Sequence, residues 1–173
     1  MGTEHWFIDE VKQRGFTFAV VALDAQDVGW CRTAMSKLPR KRPSALHFSH
    51  ELSGTRSLAL RTIAKMPLQA TLIETPKKLL DLHARERAVR KVAQLAMDEL
   101  PRRIVFELDE STVKHDKRWL SSELARYPEI DYQHLYRQAD ALLWIADGIA
   151  WADNRGGSVR KIIEHLIVRV IEA

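Results

Sequence analysis

Apolar and polar positions follow two different periods along this chain. WFIDEV and FTFAVVAL are rich in aromatic and β-branched residues and flank the polar stretch KQRG, which predicts two strands joined by a tight turn. Asp9 and Glu10 fall on the first of them. DVGWCRTAMSKL then reads as a short helix, and the basic, proline-flanked PRKRPS is too rigid to continue it. LHFSHE fits neither period and stays unassigned. SGTRSLALRTIAKM sets Leu58, Ile63 and Met66 at helical spacing, and QATLIET is a short β-type run closed by Pro76. Over 76–100 the helical period is strongest. Pro76 opens the first turn, Leu79, Leu82, Val89, Val92, Ala96 and Leu100 follow, and Lys78, Arg85, Arg87 and Lys91 take the opposite face. RRIVFELDE predicts a strand on which Glu107 and Asp109 share one face and Glu110 takes the other. A helix over 119–126, a strand DYQHLYR, the very apolar helix QADALLWIADGIAWADN and a final helix over 158–172 complete the pattern.

A hairpin, a delayed third strand, then helix, strand, helix, strand and helix predict an α/β fold. The long helix between the third and fourth strands acts as a crossover. The expected architecture is a mixed sheet of about five strands with helices on both faces, formed by a single domain over 1–173. With 173 residues, 46% of them hydrophobic and 29% charged, the chain has the makings of a sizeable core. Its 27 Lys+Arg against 23 Asp+Glu leave a net charge of +4. A lone Cys31 excludes an internal disulfide framework and any zinc site built on several cysteines, and points to a reducing, cytoplasmic setting. MGTEHWFIDE carries acids and lacks a basic segment followed by an apolar one, so a secretory leader is not expected. The longest apolar tract, ALLWIADGIAWA, is interrupted by Asp147 and falls short of the about 20 residues a membrane span needs. No membrane association is therefore expected.

The informative residues are acids where apolar side chains belong. Asp9 follows WFI, Glu107 follows IVF, and Asp147 interrupts LLWIA. An ionised carboxylate taken out of water costs several kcal/mol unless it is paired, hydrogen-bonded or metal-bound. Asp140 and Asp147 stand about two helical turns apart, on one stripe with Trp144, Trp151 and Asn154. If that stripe packs where the first and fourth strands run side by side, Asp9, Glu107 and Asp147 converge. Such a set of hard oxygen donors suits Mg²⁺ or Mn²⁺, ions that support phosphodiester hydrolysis. Internal ion pairs satisfy the same charges without metal, Asp9 with Arg14 and Asp147 with Arg137 or Arg160.

WFIDE, FTFAVVAL, LHFSHE, VFELDE and above all LLWIADGIAWA are similar to the bacterial family called domain of unknown function 3800. Its members open on an Asp-Glu-Ser-Gly type strand and end on a helix of the form Gln-Leu-Ala-Asp-Leu-Ile-Ala. The resemblance spans about 6–151. It implies a ribonuclease-H-like fold related to integrases, transposases and Holliday-junction resolvases, and a metal-dependent nuclease. One acid from the first strand, one from the fourth and one from the last core helix then fall on Asp9, on Glu107 with Asp109 as the nearby alternative, and on Asp147. Glu10, His47 and Glu51 follow as secondary candidates. Val11 and Lys12 depart from the family's Ser-Gly, and Trp144 replaces its Gln; neither change removes a candidate ligand.

Basic residues gather at Arg40, Lys41 and Arg42, along the long helix at Arg85, Arg87, Arg90 and Lys91, and at Lys114, Lys117 and Arg118. They are candidates for binding the phosphates of nucleic acid, or an ordinary mixed-charge surface. His47 and His50 form an HxxH pair without a third zinc ligand. Trp119, Trp144 and Trp151 suit core packing better than base stacking. The apolar face of the final helix, Ile162, Ile163, Leu166, Ile167, Val170 and Ile171, suits either docking on the sheet or a homodimer interface. The expected activity is cleavage of DNA or RNA, with Asp9 and Glu107 on a first Mg²⁺ or Mn²⁺ and Asp147 on a second. The alternative is a non-catalytic interaction or oligomerisation module whose carboxylates are paired internally.

Overall fold

The computed structural model describes residues 3–173; Met1 and Gly2, the first residues of the segment read above for a leader, lie outside the described residues. β1 (Glu4–Val11) and β2 (Thr17–Asp24) form the expected hairpin, in register from Glu4 opposite Asp24 to Val11 opposite Thr17. The turn between them depends on Gly15, whose φ of 110° lies where a side chain is strained. α1 (Val28–Ser36) follows. The LHFSHE segment becomes a 3₁₀ turn, Phe48–His50, ahead of α2 (Ser53–Ile63) and β3 (Leu68–Glu74).

α3 runs over Asp81–Glu99, so the helical reading from Pro76 begins too early: Leu80 is still extended, and Asp81 places an acid in the first turn, where the helix dipole favours it. β4 (Arg103–Glu107), α4 (Val113–Glu123), β5 (Asp131–Leu135) and α5 (Leu143–Arg155) come next. α4 thus starts well before the predicted 119.

The larger correction is at the C-terminus. The predicted helix over 158–172 reduces to α6, the single short turn Gly157–Lys161, and a 3₁₀ turn, Glu164–Leu166. Ile167–Glu172 is instead a strand, β6, parallel to β3. Four of the six residues of IVRVIE are β-branched, which suits a pleated strand better than a helix. Val170, expected on an apolar helix face, is 53% exposed. The helical surface that was a candidate homodimer interface is therefore not formed.

The sheet has six strands rather than about five, in the order β5-β4-β1-β2-β3-β6. β1 pairs antiparallel with β2 and parallel with β4, which pairs parallel with β5. Alternation along the central strands sends Trp6, Ile8, Phe18, Ile104 and Phe106 into a core under α3 and α4. Phe7, Val21 and Val105 face a second core, under α1, α2 and α5. α5 packs on β1, β2 and β4, and residues 141–150 are all buried. No described helix is long and apolar enough to cross a membrane.

Candidate functional site

Period two carries the site as well as the core. Asp9 lies on the Phe7 side of β1 and Glu107 on the Val105 side of β4, so both point toward α5, where Asp147 is buried among apolar neighbours. The three acids from β1, β4 and α5 meet at the floor of an open cleft of about 520 Å³, together with His47 and Arg137. Trp151 and Lys12 stand on its walls.

Arg137, on the loop between β5 and α5, lies in the middle of the cluster. Its Nη1 donates to Asp147 Oδ2 at 2.7 Å, and its Nη2 donates to Asp9 Oδ2 at 3.1 Å and to both Glu107 oxygens at 2.7 and 2.8 Å. Nε adds a bond to Glu107 Oε1 at 3.0 Å. The Trp144 indole N–H holds the Arg137 carbonyl at 2.8 Å and so anchors the loop. Asp147 Oδ2 also accepts the Phe48 backbone N–H at 2.8 Å and lies 3.2 Å from His47 Nδ1.

Three carboxylates face one guanidinium, and the surplus negative charge is unequally felt. Burial, then the Glu107 and Asp147 charges, hold the Asp9 carboxyl well above the usual carboxylate range. Burial works the same way on Asp147, but the His47 bond, the Arg137 charge and the Phe48 N–H outweigh it and keep that acid low. The three acids hold Arg137 firmly protonated against the opposing effect of its burial.

By donor chemistry the residues fit a hard divalent cation: three oxygen-bearing acids with excess negative charge at a cleft open to solvent. By arrangement they are not yet gathered about one point, since among the described residues no group of three or more acid, histidine or cysteine side chains is set to hold a metal. The oxygens surround the guanidinium instead. An ion held by all three carboxylates would take the place of Arg137.

The remaining candidates do not join the three-acid cluster. Asp140 precedes α5 rather than sharing a stripe with Asp147; it accepts the Leu142 N–H and binds Arg32 through both oxygens, at 3.0 and 2.9 Å. Asp109 lines the cleft but turns back to the Ser111 hydroxyl and backbone N–H, which hold its carboxyl below the usual range. Glu51 is buried and accepts the Lys41 backbone N–H at 2.8 Å. Glu10 also lines the cleft, but its carboxylate pairs with Arg85 and Lys12 rather than with Arg137. His50 meets the His47 ring edge-on and lies outside the cleft lining.

Of the cations, Arg40 is occupied by the carbonyls of Ser36, Leu38 and Pro43 and lies over the Trp144 ring. Lys41, Arg42, Lys114 and Lys117 are exposed, the first two in the α5 layer and the others on α4 in the opposite one. Arg85 is no surface residue: it is 2% exposed, and its guanidinium forks onto Asp116 at 2.8 Å through each of two nitrogens. His134 Nε2 joins the same carboxylate at 2.9 Å. Its spacing from Val89 and Val92 puts Arg85 on the apolar stripe of α3, a signal already present in the sequence. Asp9 meets Arg137, not Arg14, and Arg160 pairs with Asp153 and Glu164. The one predicted internal pair formed is Asp147 with Arg137; the reach of Arg137 to all three acids was missed.

No protein-family profile matches the sequence, and no curated protein matches it. Among solved structures, the chain is similar to one from the PCNA:RNase HII complex of Archaeoglobus fulgidus, with a TM-score of 0.56 and 14% identity over 94% of this chain and 77% of that one. It is also similar to the ribonuclease H2 of Pyrococcus horikoshii OT3, with a TM-score of 0.52 and 12% identity over 93% and 76%. The fold is ribonuclease-H-like.

Proposed function

We propose that the protein is a divalent-metal-dependent phosphodiesterase acting on nucleic acid, a member of the family that its motifs resemble, with Asp9, Glu107 and Asp147 as its centre. The observation that carries this reading is the meeting of three acids from β1, β4 and α5 at the floor of one cleft, with more negative charge than a single guanidinium balances. Asp9, Glu107 and Asp147 hold Mg²⁺ or Mn²⁺, which when bound supplies an activated water and steadies the departing oxygen. His47 and the Phe48 N–H fix the orientation of Asp147. Once off the carboxylates, the planar donor fork of Arg137 is free to take phosphate oxygens. Lys41, Arg42, Lys114 and Lys117 are exposed cations for phosphates further along the strand.

Arg137 itself favours a second reading. Bonded to all three acids, it acts as their permanent counter-ion, and the protein is a ribonuclease-H-like binding module without catalysis.

Thermal melting of the wild type, Asp147→Asn and Arg137→Ala in Mn²⁺, Mg²⁺ and EDTA separates the two. A metal centre predicts that Mn²⁺ stabilises the wild type, stabilises Arg137→Ala more, and leaves Asp147→Asn unmoved. An ion at 100 times its Kd adds about 2.7 kcal/mol to the native state. A permanent counter-ion predicts no metal response in the wild type and a loss of about 3–5 kcal/mol in Arg137→Ala, because buried charges lose their partner. On DNA and RNA substrates, cleavage retained by Asp147→Asn overturns the assignment of the centre.

A further inference from the structure

Beside the carboxylate cleft, a groove of about 320 Å³ runs between α2 and α5, with Ser53, Arg56, Ser57, Trp151 and Arg155 on its walls. Trp151 lines both, so the groove is the cleft's immediate neighbour. Its charge is one-sided: no acid lines it. Arg32, Arg85, Arg90, Arg103, Arg137, Arg160 and Arg169 all sit in ion pairs. Arg56 and Arg155, like Arg14, Arg42, Arg61, Arg87, Arg102, Arg118 and Arg126, have no such partner among the described residues, and what sets Arg56 apart is a buried Nε without a hydrogen-bond partner. A buried donor left unmade costs free energy comparable to a lost hydrogen bond. The Arg56 guanidinium is nonetheless held in place, 5.0 Å above the Trp151 ring.

We infer that this groove binds the phosphate backbone of a single nucleic-acid strand leaving the carboxylate cleft, with Arg56 and Arg155 as the phosphate ligands and Trp151 as the platform that orients Arg56. The inference rests on the nuclease reading above. Two guanidinium groups outside any ion pair, two serine hydroxyls and an aromatic ring, set beside the apolar side chains of Leu60, Val159 and Ile162, offer a strand both cations for its phosphates and a surface for its bases. The carboxylate floor is acidic and repels phosphates on its own, so a strand crossing it needs cations close by, and these two are adjacent and uncommitted.

Fluorescence anisotropy with labelled single-stranded DNA and RNA oligonucleotides, in EDTA and at several salt concentrations, tests this without metal or cleavage. Arg56→Ala/Arg155→Ala is expected to weaken binding by roughly tenfold or more per arginine. It should also lower the slope of log affinity against log salt by about 1.4, as two single-strand phosphate contacts are lost. Arg56→Lys/Arg155→Lys, which keeps the charges and guards against misfolding, should retain most of the slope. Wild-type affinity and slope in the double alanine variant would overturn the groove and leave the nuclease reading standing. A wild type that binds no oligonucleotide would overturn both.

Discussion

One oxygen of Asp147 carries the orientation of the cleft. Oδ2 takes the Phe48 N–H, an Arg137 N–H and the His47 contact, while Asp9, a few ångströms away across Arg137, is driven toward its protonated form. A similar contest between burial and pairing has a clearer outcome at Asp116, which is 0% exposed. Burial raises its pKa, but the Arg85 fork and His134 outweigh it, and the carboxyl sits below the ordinary 3.8. A depressed native pKa stabilises the fold above the unfolded value, and that stabilisation is lost as pH falls through the native one. Asp9, with a raised pKa, contributes with the opposite sign. Urea denaturation across pH should therefore show Asp116→Asn losing about 3–5 kcal/mol at neutral pH. The same variant should lack part of the wild type's loss of stability below about pH 4. An unchanged acid limb would mean that Asp116 is not the buried anion described.

At the scale of elements, the site depends on how closely α5 approaches the 3₁₀ turn before α2. Gly148 allows that approach: a Cβ there would come within 2.7 Å of two Phe48 ring atoms and 3.0 Å of Ile63 Cδ1. Gly148→Ala should cost about 1–3 kcal/mol by overpacking. It should also weaken the Mn²⁺ response, because Phe48 supplies the N–H that orients Asp147. Gly54, in α2, has nothing within 4 Å of its position for a Cβ. Gly54→Ala should be neutral or stabilising by about 0.4–1 kcal/mol. Chemical denaturation of both measures the contrast. Element type was legible wherever one period dominated, as in β1, β2, α3 and α5. It was misread over 158–172, where Ile162, Ile163 and Leu166 continue a helical stripe into a segment whose β-branched residues complete the sheet beside β3.

For the whole molecule, the two cores share one floor. β1, β2 and β4 present alternate residues to the layer of α3 and α4 and to that of α1, α2 and α5, so neither layer can detach without exposing apolar sheet. Thermal unfolding should accordingly be a single cooperative transition. Tryptophan fluorescence reads both layers, through Trp6 and Trp119 on one side and Trp144 on the other, and should coincide with far-ultraviolet circular dichroism. Two separated transitions would refute a single domain over 1–173.

The sequence by itself determined which side of the sheet each acid takes. Period two puts Asp9 with Phe7 and Glu107 with Val105, period 3.6 buries Asp147 in α5, and both periods are properties of neighbouring residues along the chain. Only the tertiary structure decided what those acids meet. That Arg137 rather than Arg14 reaches Asp9, that Arg85 and Asp116 are buried partners, and that Ile167–Glu172 is a strand all depend on segments far apart in sequence being packed together. A charge or a β-branched run carries no local record of its distant partner, because the interaction that stabilises it exists only once the sheet and its two layers have assembled.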